Sequence, residues 1–296
     1  MPTRYASTPA TALRSEHAEG PCWDARLNRL LWVDQFDGLV HLADYDSAAA
    51  HLDVVATYRL GYAVGAVVPT RQPDGGWLAA CALGFAHLAG DGTVTMLAQP
   101  EMPTARMNDG KCDQLGRFWA GSMAWEKTPG AGSLYRLNLD LTLAVPLTGV
   151  TISNGLAWSA DGTAMYYIDT PTRRVDRFTV GADGELCDRT TAVALAEGIG
   201  DPDGMCIDDE GCLWVALWGG HAVHRYSPVG ELLAVADVDA PQVSSCCLGG
   251  PDRTTLFITT SQENMSAADR SRHAQSGKIF CAQVETPGRP AAAFGS

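Results

Sequence analysis

A single short phrase recurs six times along this chain. It runs from an Asp through a turn and a small spacer into an apolar or aromatic stretch of strand character. The copies are Asp24 to Asp34 (DARLNRLLWVD), Asp74 to Leu83 (DGGWLAACAL), Asp113 to Met123 (DQLGRFWAGSM), Asp161 to Thr170 (DGTAMYYIDT), Asp209 to Trp218 (DEGCLWVALW) and Asp252 to Thr260 (DRTTLFITT). Successive copies begin 39 to 50 residues apart, the length of one four-stranded propeller blade. A Gly- or Asn-containing turn between two apolar runs is a hairpin signal. Each phrase is therefore read as the tight turn between the two innermost strands of a blade, and six copies predict an all-β, six-bladed β-propeller with four-stranded blades around a central channel.

No Gly/Ser-rich or charged linker interrupts the 296 residues, so residues 1–296 are expected to form one propeller domain with a loose tail over 286–296. Tyr5 to Leu13 and Gly277 to Glu285 each read as a strand lacking a local partner, which predicts closure of the ring by one terminus completing a blade begun by the other. The polar stretch from Gln262 to Gln275 is expected to be a loop or a short surface helix.

The formal charge of −13 would repel a phosphate backbone, which argues against nucleic acid as a partner and tolerates bound cations. Nine cysteines, none in a Cys-x-x-Cys pair, are expected to be reduced core thiols. Met1 to Gly20 lacks an apolar leader core, and no stretch approaches about 18 continuous apolar residues. The expectation is a cytoplasmic protein with no membrane partner.

Upstream of most turns a polar residue stands beside a glycine: Glu19-Gly20, Asn108-Asp109-Gly110, Asn154-Gly155 and Asp203-Gly204. The first strand of every blade lines a propeller's channel, so oxygen-bearing groups from four blades converge on the axis. Carboxylates gathered there need a cation or protons to neutralise them. Glu19, Asn154 and Asp203 offer only oxygens, which suits a hard divalent ion such as Ca²⁺, Mg²⁺ or Mn²⁺, with Zn²⁺ and Fe²⁺ also open. Three protein ligands leave open positions of the kind a catalytic metal needs. The inner strand of the second unit, Tyr62 to Pro69 (YAVGAVVP), is apolar and reads as a channel wall without a ligand. Nucleophile-elbow, phosphate-loop and dinucleotide fingerprints are absent from the sequence.

Glu19-Gly20-Pro21-Cys22-Trp23, Arg106 to Asp113 (RMNDGKCD) with Gly116 to Met123, Ser153 to Ser159 (SNGLAWS), and Pro202 to Met205 with Gly211 to Ala216 together resemble the SMP-30/gluconolactonase family, which includes regucalcin and bacterial sugar lactonases. The resemblance covers roughly residues 15 to 285. It implies that Glu19, Asn154 and Asp203 bind one divalent metal ion, that Arg106 and Asn108 hold the oxygens of a sugar lactone, that Asp203 doubles as general base, and that Glu126 contacts substrate. Asp109 is expected near the metal through a water.

Trp125, Trp218 and Tyr62 are expected around the mouth of the pocket. Trp32, Trp119, Trp158 and Trp214 are expected in the packing, and His17, His221 and His224 as core or surface histidines. The leading expectation is a metal-dependent sugar-lactone hydrolase. The alternatives are a calcium-binding or regulatory protein, and an ester or organophosphate hydrolase on the same ring.

Overall fold

A computed structural model describes residues 1–71 and 75–295. Six four-stranded antiparallel units are arranged in a ring. Their innermost strands are Ala18–Asp24, Val64–Pro69, Ala105–Cys112, Ser153–Trp158, Asp201–Ile207 and Val243–Gly249. Each packs on the next and the sixth packs on the first, closing the circle.

Closure is by the N-terminus. Thr8–Pro9 pairs with Phe280–Gln283 as the outermost strand of the sixth blade. Thr3–Ala6 then runs parallel to Leu232–Asp237 and gives the fifth blade an extra strand. Between Gln262 and Gln275 lies one short helix, Ala267–Arg272, capped by Ser266. Among the described residues no helix is long and apolar enough to cross a membrane.

The recurring Asp anchors the turn. Asp113 accepts from the amides of Leu115 and Arg117 and from the Trp119 indole, at 2.8 to 3.0 Å. Asp24 accepts from the Arg26 amide and the Trp77 indole. One carboxylate thereby closes the hairpin and holds a core tryptophan, the kind of local side-chain-to-backbone bonding that favours Asp at turns. In the fifth copy this work falls to Asp208, one residue before the Asp of the sequence ruler. The leading Asp74 of the second copy lies outside the described residues.

Alternation along the strands places apolar side chains on both faces of each blade, and six apolar clusters result, one between each adjacent pair. Trp32, Trp119, Trp158 and Trp214 are buried in them. No disulfide links the nine cysteines; seven are buried, Cys22 is part-buried and Cys187 is exposed.

The tail departs from expectation. Phe294 is buried in the cluster between the second and third blades, its amide donates to Pro69 O at 2.8 Å and its carbonyl accepts from the Arg71 amide at 2.7 Å. Gly288 bridges to Asp208 on the fifth blade. A buried aromatic and paired backbone fix a segment that its Pro, Ala and Gly content alone would leave loose. Phe294→Ala is expected to cost about 3 kcal/mol. Urea denaturation measures it, and a loss below about 1 kcal/mol would mean that the tail contributes nothing to the ring.

Candidate active site

All six inner strands break register with their neighbours at one level: Glu19/Cys22, Val64/Ala66, Met107/Gly110, Ser153/Leu156, Pro202/Met205 and Val243/Ser245. A bulge inserts an extra residue and re-aims a side chain. At this level Glu19, Asn108, Asn154 and Asp203 of four blades line one cavity. Sequence alternation does not reveal this step.

Close approach of the strands depends on the glycines beside those residues. A Cβ at Gly65 would lie 2.0 Å from Asn108 O, so the second and third blades meet backbone to backbone at the level of the site. Entry to the strands is also fixed. Asp34 accepts from the amides of Glu16 and His17 ahead of Glu19, and Asp169 from those of Thr151 and Ile152 ahead of Asn154. The same device serves two blades opposite in the ring.

Glu19, Asn154 and Asp203 converge on one cavity of about 190 Å³, with Arg106 and Asn108 in its wall. All five are buried, between 4% and 6% exposed. Asn154 Nδ2 donates to Thr170 Oγ1 at 2.8 Å, and that hydroxyl donates to Pro202 O at 2.8 Å. This leaves Asn154 Oδ1 turned toward Asn108, whose Nδ2 lies 3.0 Å away.

Asn108 is committed to the protein. Its Oδ1 accepts from Arg106 at 2.7 Å and from Gln35 at 3.1 Å, and its Nδ2 also donates to Ser153 O at 2.8 Å. With both donors and the carbonyl engaged, it orients Arg106 and Asn154 in addition to whatever it offers a ligand. Arg106 lies between the rings of Phe36 and Trp125, each centroid 5.4 Å from the guanidinium carbon. Burial lowers its pKa to about 10, opposed by Glu263, Glu19 and Asp203, so it stays cationic at neutral pH.

The carboxylates have no such partner. Burial and then Asp109 raise Glu19 to about 8. Burial, then Glu19, Asp109 and Glu263, push Asp203 well above the carboxylate range. Asp109 Oδ1 accepts from the Gly110 amide at 2.7 Å while its Oδ2 is buried without a hydrogen bond. Among the described residues no three His, Cys, Asp or Glu side chains stand at ligand spacing. The donor set is two carboxylates and one amide oxygen, and its uncompensated negative charge fits a hard divalent cation.

That charge has a pH signature. A carboxyl raised from 4.5 toward 8 in the fold keeps its proton longer folded than unfolded, so folded stability declines as pH climbs through this window. Chelator-stripped protein is expected to lose melting temperature between pH 5 and pH 8, and saturating Ca²⁺ to remove most of that loss. Calorimetry at both pH values checks it; a metal-free melting temperature flat across the window contradicts it.

Among the cavity residues not anticipated are His17, Lys127 and Glu263. His17 Nδ1 lies 2.8 Å from Ser261 Oγ, and its Nε2 is 4.0 Å from Glu19. Burial, then Arg106 and Lys127, lower it to about 3, so it is neutral. Lys127 Nζ stands 3.7 Å from Glu263 Oε1, joining loops of the third and sixth blades across the mouth. Neither loop carries the Asp/Asn-Gly signature, and only three-dimensional closure brings them together.

Glu126 does not line the cavity; it is exposed, and its neighbour Lys127, at φ 53°, enters instead. Trp218 lines the cavity, Trp125 reaches it through Arg106, and Tyr62 is exposed outside it. His221 and His224 lie elsewhere, against His273 and Tyr226. Asp109 faces a second cavity, of about 200 Å³, on the opposite side of the ligand ring.

A regucalcin of Danio rerio is 35% identical over 273 residues, spanning 90% of this chain and 90% of that protein. A 6-deoxy-6-sulfogluconolactonase of Pseudomonas putida is 34% identical over 276 residues, spanning 91% and 92%. A calcium-binding regucalcin structure from Agrobacterium tumefaciens superposes with a TM-score of 0.91 at 24% identity, covering the whole of both chains, and shares the fold. The SMP-30/Gluconolactonase/LRE-like region matches residues 17–262, and the chain belongs to that family.

Proposed function

We propose that this protein hydrolyses a sugar lactone to the aldonic acid, using one divalent ion held by Glu19, Asn154 and Asp203. The observation that carries this reading is the meeting of those three oxygen donors beneath a fixed guanidinium, in a cavity sized for a small polar molecule. The lactonase relatives support the substrate class. Such an ion, when bound, supplies Lewis acidity toward a lactone carbonyl and lowers the pKa of water.

The chain's own groups supply the rest. Asp203, a carboxylate once a cation offsets its neighbours, takes the proton of the attacking water. Arg106, braced by two rings and by Asn108, presents N–H groups to hydroxyl or carbonyl oxygens. Neutral His17 offers one donor or acceptor beside Glu19. Lys127 and Glu263 face the outer end of the substrate. Opening of the ring breaks the acyl C–O bond and yields an acid that ionises, so each turnover releases a proton.

Base-titrated hydrolysis of a panel of aldonolactones tests the reading, using chelator-stripped protein with and without Ca²⁺, Mg²⁺, Mn²⁺, Fe²⁺ and Zn²⁺. Metal-restored acid release well above the spontaneous rate supports it. Absence of release with every ion, alongside metal-dependent cleavage of simple or phosphate esters, would move the assignment to an ester hydrolase; binding without any turnover would make it a calcium-binding protein.

A further inference from the structure

The tail that ends on Phe294 crosses the far end of the channel. The Gly288 amide donates to Arg253 O of the sixth blade at 2.8 Å, and the Asp209 amide of the fifth donates to Pro287 O at 2.9 Å. Phe294 and Gly295 are tied to Pro69, Arg71 and Gly116 of the second and third blades. Arg289 to Ala293 therefore spans the ring as a strap, and the cavity of about 200 Å³ lies between the strap and the ligand ring. Its walls come from the inner strands of all six blades and are mostly apolar, with Trp23, Val68, Leu156, Ile207 and Leu248 among them. Charge sits at its two ends. At the inner end are Asp109 and Lys111, whose Nζ is fixed on Met205 O of the fifth blade. At the outer end is Arg289, whose Nη1 is buried without a hydrogen-bond partner and whose Nε stands 3.7 Å from Asp209 Oδ1. Trp23, Leu248 and Arg289 to Ala291 also border a smaller hollow of about 150 Å³, which Arg253 lines as well. The lining of the outer end thus carries two guanidiniums, with one carboxylate, Asp209, set against Arg289.

We infer that this lower cavity is a second binding site and takes an aryl carboxylate, its ring between the apolar strand walls and its carboxylate accepting from Arg289. Size supports the ring. An apolar cavity of about 150 Å³ admits benzene, so one of about 200 Å³ has room for a benzene ring and a short carboxylated arm. Charge supports the arm. A buried N–H without an acceptor is costly, and the guanidinium fork matches a carboxylate. A neutral apolar molecule would leave Arg289 Nη1 unpaired, and a small inorganic anion would leave the apolar walls against water. Asp109 repels an anion at the inner end, so the ring points inward and the carboxylate toward the strap. Glu19, Asn154, Asp203 and Arg106 line the other cavity, and the inference requires neither a metal ion nor lactone turnover.

The test is calorimetric titration of the full-length protein with phenylacetate, with phenylacetamide, which lacks the charge, and with acetate, which lacks the ring. Wild type is expected to bind phenylacetate about tenfold or more tightly than either, the scale of one hydrogen bond to a charged group. Arg289→Met keeps the apolar reach of the side chain. It is expected to weaken phenylacetate about tenfold and to change phenylacetamide by less than about threefold. Arg289→Gln replaces it if the methionine variant does not fold. Diffraction from crystals soaked in phenylacetate then locates the ligand, and density between the strap and the strand walls, with its carboxylate at Arg289, is the expected result. Absence of saturable binding by wild type, equal binding of acid and amide, or wild-type affinity for phenylacetate in the Arg289 variant would each overturn the inference. Density beside Arg106 alone would place the carboxylate in the upper cavity and overturn it as well.

Discussion

Asp203→Asn is expected to lower kcat for lactone hydrolysis about a thousandfold at saturating divalent ion, with KM changed far less. The amide is the same size and can still offer an oxygen to the ion, but it cannot accept a proton from water; general-base contributions of this kind are typically 10²- to 10⁴-fold. The substitution also removes one of the two carboxylate charges among the three proposed ligands, so ion affinity falls as well. Titrating the ion to saturation before measuring kcat separates the two effects. Full activity at saturation would assign the base elsewhere and leave Asp203 as a ligand only. A kcat loss that saturating ion completely reverses would say the same.

Gly65→Ala carries the largest expected effect on folding. A Cβ there would stand 2.0 Å from Asn108 O and 2.6 Å from its carbonyl carbon, and both are backbone atoms of the neighbouring blade that cannot swing aside. The inner strands of the second and third blades would have to part, which strains the ring at the level of the site. Overpacking typically costs 1–3 kcal/mol and more where backbone must move, so a loss of about 3 kcal/mol or more in urea denaturation is expected. Asn108 would shift with its strand, and with it the hydrogen bonds to Arg106 and Asn154. Gly90→Ala is the matched control, because a Cβ there meets nothing within 4 Å. A Gly65→Ala protein as stable as that control would show that the blades do not meet as closely as described.

Much of this was legible from residue spacing because a propeller repeats its local physics. The leading Asp, the aromatic that follows it and the strand beyond recur six times along the sequence, so period alone gives the architecture. Glu19, Asn154 and Asp203 were visible because each sits at the same point of a repeat. Lys127, Glu263 and His17 lie on loops that differ between blades, and their meeting at one mouth follows from ring closure, which leaves no periodic trace. Glu126 shows the limit of transfer by position: the chain turns through a positive φ at Lys127, and a one-residue change of facing puts an ammonium where a carboxylate was expected. The tail misled for a related reason. Its composition is that of a loose end, and one phenylalanine at Phe294, finding a slot between two blades, outweighs the rest.

The proposed chemistry depends on a single divalent ion held by Glu19, Asn154 and Asp203. Diffraction from crystals soaked in Mn²⁺, with an anomalous difference map calculated at the manganese edge, tests this most directly. One peak among Glu19, Asn154 and Asp203, within about 2.0–2.4 Å of their oxygens, is the predicted result. A map empty at those three residues, or with its only peak elsewhere on the ring, would contradict the site on which the proposed chemistry depends.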